Sequence, residues 1–99
     1  MMDSYVFYIR ARQDAVIALH FSASEFYLVA IGGWGNTKSF IRLLNEGQTR
    51  KQMDEVKAVA AHAEGGILNE NEFRHFWVSW RHGVITAGEC FFFNQKAKL

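Results

Sequence analysis

Apolar residues recur at every second position in short runs, and the gaps between the first runs are too brief to hold a crossover helix. Tyr5, Phe7, Ile9 and Ala11 alternate with Val6, Tyr8 and Arg10, a β-branched and aromatic pattern that reads as a strand. Gln13-Asp14 breaks it. Ala15, Ile17, Leu19 and Phe21 then fall on one face, with Val16, Ala18 and His20 on the other. Ser22 to Glu25 reads as a turn, Phe26 to Ile31 as a third strand, and Thr37 to Leu44 as a fourth after a Gly32-Gly33-Trp34-Gly35-Asn36 interruption. Near the end, Phe76 to Trp80 is a strand that Arg81-His82-Gly83 turns into Val84 to Gly88. Parallel winding needs connections of about a dozen residues or more, so the pattern predicts an all-β chain, an antiparallel β-sandwich of jelly-roll type.

One segment carries two readings. Between Gln48 and Glu64, Thr49 and Gln52 make a capping box, and Met53, Val56, Ala60 and Ala63 recur at helical intervals before Gly65-Gly66. This predicts one inserted helix around residues 49–63. The competing reading is a strand over Val56 to Ala61 that continues the all-β plan. A second, short helical turn is expected from Asn69, whose side chain is placed to cap Asn71 or Glu72.

Composition narrows what such a sandwich can do. The 99 residues suffice for a single domain, and 49% hydrophobic content with 15% aromatics is enough for a packed interior. A net charge of +1 removes the electrostatic case for nucleic acid. No apolar run approaches the roughly 20 residues of a membrane span. The start, Met1-Met2-Asp3-Ser4, lacks the features of a signal peptide, so the chain reads as cytoplasmic, or as extracellular if it is a piece of a longer protein. One cysteine, Cys90, allows no intrachain disulfide, and beside Phe91 to Phe93 it reads as an inert apolar thiol. His20, His62, His75 and His82 share no metal-ligand spacing.

Two blocks carry a family resemblance. Ile31-Gly32-Gly33-Trp34-Gly35-Asn36-Thr37-Lys38-Ser39-Phe40-Ile41-Arg42 resembles the GGWGNTKS motif of the farnesoic acid O-methyltransferase-like domain, an invertebrate family. Glu72-Phe73-Arg74-His75-Phe76-Trp77 is similar to its EFRxFW strand, and Gly83, Ile85 and Gly88 to its hairpin. The resemblance runs from about Tyr5 to Glu89. It implies that residues 1–99 form one such domain, incomplete after about residue 89, because the family continues with another strand where this chain has Cys90 to Leu99. The family name implies methyl transfer from S-adenosylmethionine to the carboxylate of farnesoic acid. An apolar cleft between sheets would then take the isoprenoid chain, with Arg42 or Lys38 on the carboxylate.

The residues themselves favour a different chemistry. The usual methyl-donor site is a Gly-rich turn between a strand and a helix of a doubly wound sheet. Here Gly32-Gly33-Trp34-Gly35 leads into the alternating, strand-like Thr37 to Leu44, and no paired carboxylates, nucleophile elbow or Cys-His signature is present. The glycines are expected to serve a bulge or hairpin loop. Trp34 either packs at that corner or stands at the loop tip, where an indole stacks on a sugar or an apolar ligand. Asn36 and Lys38 would add polar contacts. Arg42, with Arg74 and Arg81, would clamp a carboxylate or phosphate if the three converge. Parity along its strand puts Trp80 in the core with Phe76 and Val78, and turns Trp77 outward as a second candidate aromatic. The expected function is a non-catalytic binding or interaction module for a small molecule or glycan, with ligand-binding residues Trp34, Asn36, Lys38, Arg42 and Trp77 and no cofactor. The alternatives are the methyl transfer of the family name, or a truncated remnant without activity.

Overall fold

The computed structural model describes residues 4–63, 66–90 and 96–98. Among these residues eight strands form two four-stranded sheets: β1 (Ser4–Ile9), β2 (Ala15–His20), β3 (Glu25–Gly32), β4 (Lys38–Asn45), β5 (Ala60–His62), β6 (Arg74–Ser79), β7 (Thr86–Cys90) and β8 (Lys96–Lys98). One sheet has the order β1-β6-β7-β8 and the other β2-β3-β4-β5. Every pairing is antiparallel. The expected all-β sandwich is therefore the observed fold.

The two periodicities meet in the core. Val29, Ile31 and Ile41 face inward from one sheet, Phe76, Val78 and Ala87 from the other, and Ile67 and Leu68 enter from the β5–β6 connection. Phe76 and Ile31 have no exposed surface, and each such side chain contributes about 1.5–3 kcal/mol through removal from water. Phe7, Ile9, Ile17, Leu19, Tyr27 and Trp80 pack around this centre, half-buried. Trp80 thus takes the inward parity expected of it but stays at the margin, one residue beyond the end of β6.

The segment with two readings divides between them. Thr49 caps a helix from the predicted position, and the capping box is complete: Gln52 N–H donates to Thr49 Oγ1 at 3.2 Å, and Thr49 N–H donates to Gln52 Oε1 at 2.8 Å. The helix is only Arg50–Glu55, however, not 49–63. At Val56 the backbone turns extended, Val59 N–H reaches Ile41 C=O at 2.8 Å, and Ala60 and Ala61 pair with Ile41 and Phe40 of β4. Ladder bonds to an existing sheet outweigh the high intrinsic helix propensity of the alanines. The short helix packs on the outer face of its sheet, where Phe26 and Leu44 are buried.

Two further expectations change in detail. No helical turn forms at Asn69; its Oδ1 accepts Asn71 N–H at 2.7 Å in a tight local turn, a side-chain alternative to helical bonding. The second hairpin strand begins at Thr86 rather than Val84, because His82 and Gly83 adopt left-handed conformations that lengthen the turn. β7 extends to Cys90 and is paired by β8, while Phe91 to Phe93 lie outside the described residues.

Candidate functional site

The β3–β4 corner is a tight left-handed turn. Gly32, Trp34, Gly35 and Asn36 have φ of 66°, 51°, 67° and 64°. Glycine accepts this region freely and asparagine tolerates it, whereas a tryptophan there is strained by roughly 1–2 kcal/mol. Surrounding bonds hold it in place. Thr37 N–H donates to Gly33 C=O, and the Thr37 hydroxyl donates to Trp34 C=O at 2.6 Å. Gly32 N–H donates to the buried Ser39 Oγ, and Asp14 N–H to Gly32 C=O at 2.9 Å. The expected glycine loop is present, with more of its residues left-handed than the two or three glycines alone suggest.

This geometry lifts Trp34 out of the fold. Its side chain is 58% exposed, so it stands at the loop tip rather than packing in the core. Lys38, Phe40 and Arg42 alternate along β4 and share its outer face. The Lys38 Nζ lies 4.5 Å from the indole centroid, the Phe40 ring meets the indole edge-on at 5.4 Å, and the Arg42 Cζ sits 4.5 Å over Phe40. Cation, indole, phenyl and guanidinium thus form one continuous row. The Arg42 Nε is buried without a hydrogen-bond acceptor among the described residues. A row of this kind offers an aromatic face flanked by two positive charges, which suits a ligand with an apolar or sugar ring and an acidic group.

The other candidates have different positions. Asn36 turns toward the fold: its Nδ2 donates to Leu68 C=O at 2.8 Å and its Oδ1 accepts Leu68 N–H at 3.0 Å, so its amide fastens the corner to the β5–β6 connection. Trp77 is turned outward as its parity requires, but on the other sheet, where it stands between Val6 and Gly88 in register. The row and Trp77 therefore occupy opposite outer faces of the sandwich. The three arginines do not converge. Arg74 Nε donates to Glu72 at 2.7 Å, Arg42 stacks on Phe40, and Arg81 lies in the turn beyond the far end of β6. Phe40 joins this row although the sequence reading did not single it out; its place between Lys38 and Arg42 on one strand face is the signal that could have found it.

An inter-sheet cleft of about 520 Å³ also opens between Leu19, Phe21, Tyr27, Trp80 and Ile85. Neither Lys38 nor Arg42 lines this cleft. The glycine corner fits a methyl donor no better. A Cβ on Gly32 would already lie 2.7 Å from Leu68 Cδ1 and 2.8 Å from Asn36 Oδ1, so the interior of the turn is filled by the chain's own side chains. The sheets contain no parallel pair among the described residues, and hence no strand-to-helix crossover of the doubly wound kind. Among the described residues no cluster of His, Cys, Asp and Glu could hold a metal ion, and no helix is long and apolar enough to cross a membrane.

Comparison with known proteins gives a family. The family model for farnesoic acid O-methyl transferase matches residues 1–95, beyond the span from Tyr5 to Glu89 over which the motifs are legible. No curated protein and no solved structure matches the chain. With nearly its whole length matched, the chain belongs to the farnesoic acid O-methyl transferase family.

Proposed function

We propose that this chain is a non-catalytic ligand-binding module, and that its ligand is a small molecule or glycan with an acidic group. The observation that carries the reading is the Lys38–Trp34–Phe40–Arg42 row. A large aromatic is held exposed in a strained backbone conformation, and strain of this kind concentrates at functional positions. The buried Arg42 Nε–H is a donor awaiting an acceptor, and leaving such a group unmatched disfavours the fold by about 1–3 kcal/mol. A carboxylate or sulfate on the ligand pairs with the Arg42 guanidinium while the ring stacks on Trp34.

The test is a binding screen of acidic glycans, lipids and small organic anions, repeated with Trp34→Ala and Arg42→Gln. The expected result is a hit lost in Trp34→Ala and weakened in Arg42→Gln. A hit that survives both substitutions, or no hit at all, overturns the reading. Family membership favours a second one, methyl transfer to an isoprenoid carboxylate. Calorimetric titration with S-adenosylmethionine separates the two, since binding of that cofactor at micromolar strength belongs to the second alone.

A further inference from the structure

The four edge strands of the sandwich are guarded unequally. β5 has three residues and β8 has two lysines in its three. Short length and lysine are the usual devices that stop a sheet edge from pairing with another chain. β1 and β2 have neither. Each runs six residues, SYVFYI and AVIALH, without a Lys, Arg, Asp or Glu, and β1 is in unbroken one-to-one register with β6, with no bulge to twist it away. Both stand at the ends of their sheets. They also flank the same side of the molecule, because an apolar slot of about 430 Å³ between them is lined by Tyr5, Phe7 and Ile9 of β1 and Ala15, Val16 and Ile17 of β2. Tyr5, Tyr8 and Val16 are each more than half exposed there.

We propose that this side is a two-fold interface between two copies of the chain, β1 pairing with β1 and β2 with β2, so that both sheets run on through the dimer. The requirement for two edges at once selects the partner. A single extended peptide can satisfy one row of backbone N–H and C=O groups and leaves the other open. A second sandwich presents two rows at the same separation, about 10 Å. A two-fold axis perpendicular to the sheets makes both pairings antiparallel. It also sends the Arg10-to-Asp14 corner of one copy to the opposite end of the other, so like charges do not meet, and a net charge of +1 per chain adds little repulsion. Edges about 20 Å long, with the slot between them, hide on the order of 1,000 Å² in total, the size of weak and reversible associations.

Sedimentation velocity from low micromolar to millimolar concentration tests this on the unmodified chain, together with amide exchange read strand by strand. The expected result is a monomer–dimer equilibrium in the micromolar range, with exchange slowing in both β1 and β2 as concentration rises. Val16→Lys and Tyr8→Lys should each raise the dissociation constant about tenfold or more. Val59→Lys, at an equally exposed site beside β5, should leave it unchanged. A monomer throughout, slowing in one edge only (the signature of a single-strand partner), or open-ended growth beyond the dimer overturns the proposal. So does a dimer indifferent to both edge lysines.

Discussion

Replacing Gly32 with alanine separates the two demands the β3–β4 corner makes on its backbone. The first is conformational: φ is +66°, where an L-residue is strained by about 1–2 kcal/mol. The second is spatial. The new Cβ would lie 2.7 Å and 2.9 Å from Leu68 Cδ1 and Cγ, and 2.8 Å from Asn36 Oδ1. Leu68 is buried and cannot swing into solvent, so overpacking adds about 1–3 kcal/mol. Displacing the Asn36 amide also weakens its two hydrogen bonds to Leu68, each contributing about 0.5–1.5 kcal/mol. The sum is about 3–8 kcal/mol, comparable with the whole stability of a domain this size. Gly66 provides the internal control: its φ is +71° but among the described residues nothing lies within 4 Å of the position its Cβ would take, so Gly66→Ala should destabilise by only about 1 kcal/mol. In thermal denaturation this corresponds to a fall of roughly 12 °C or more for Gly32→Ala against roughly 4–8 °C for Gly66→Ala. Equal effects of the two substitutions would refute the claim that the corner is filled from within.

Four further outcomes follow from the same contacts. Asn36→Ala should destabilise by about 2–3 kcal/mol in urea denaturation, because it strips both Leu68 main-chain groups of their partner. Trp34→Gly should melt close to the unmodified chain and above Trp34→Ala by about 1 kcal/mol, since glycine relieves the φ of 51° that alanine retains; equal melting would show that the strain is absent. Thr49→Ala should lower stability by about 1 kcal/mol through loss of the cap, an effect confined to Arg50–Glu55 in amide exchange. Phe76→Ala, at a side chain with no exposed surface, should remove about 3–5 kcal/mol and leave little folded protein by circular dichroism.

Most of the architecture was legible because the physical signal is local. Alternation along Ala15 to His20 or Phe76 to Val78 is imposed by strand geometry itself, and the observed inward residues are those of matching parity. The capping box at Thr49 is equally local and was found where the sequence placed it. The end of that helix was not legible, since it depends on β4 lying near enough to pair with Ala60 and Ala61. The site shows the same division. Lys38 and Arg42 sit on one face of a strand that the sequence reveals, whereas the role of Asn36 depends on Leu68, which nothing in its own neighbourhood announces. Trp34 is undecided from sequence for a related reason: its exposure follows from the φ values of four of the five residues from Gly32 to Asn36 together, and only two of those four are glycines.

The Asn36–Leu68 clasp ties positions 32 apart in the chain, and it joins the β3–β4 corner to the connection that leads into the second sheet. Holding the corner therefore takes the β5–β6 connection as well as its own hairpin. The indole platform at Trp34 depends on a contact outside the two strands that carry it. A nascent or partly wrapped chain would carry the tryptophan without presenting it, and only the finished sandwich would be competent to hold a ligand there.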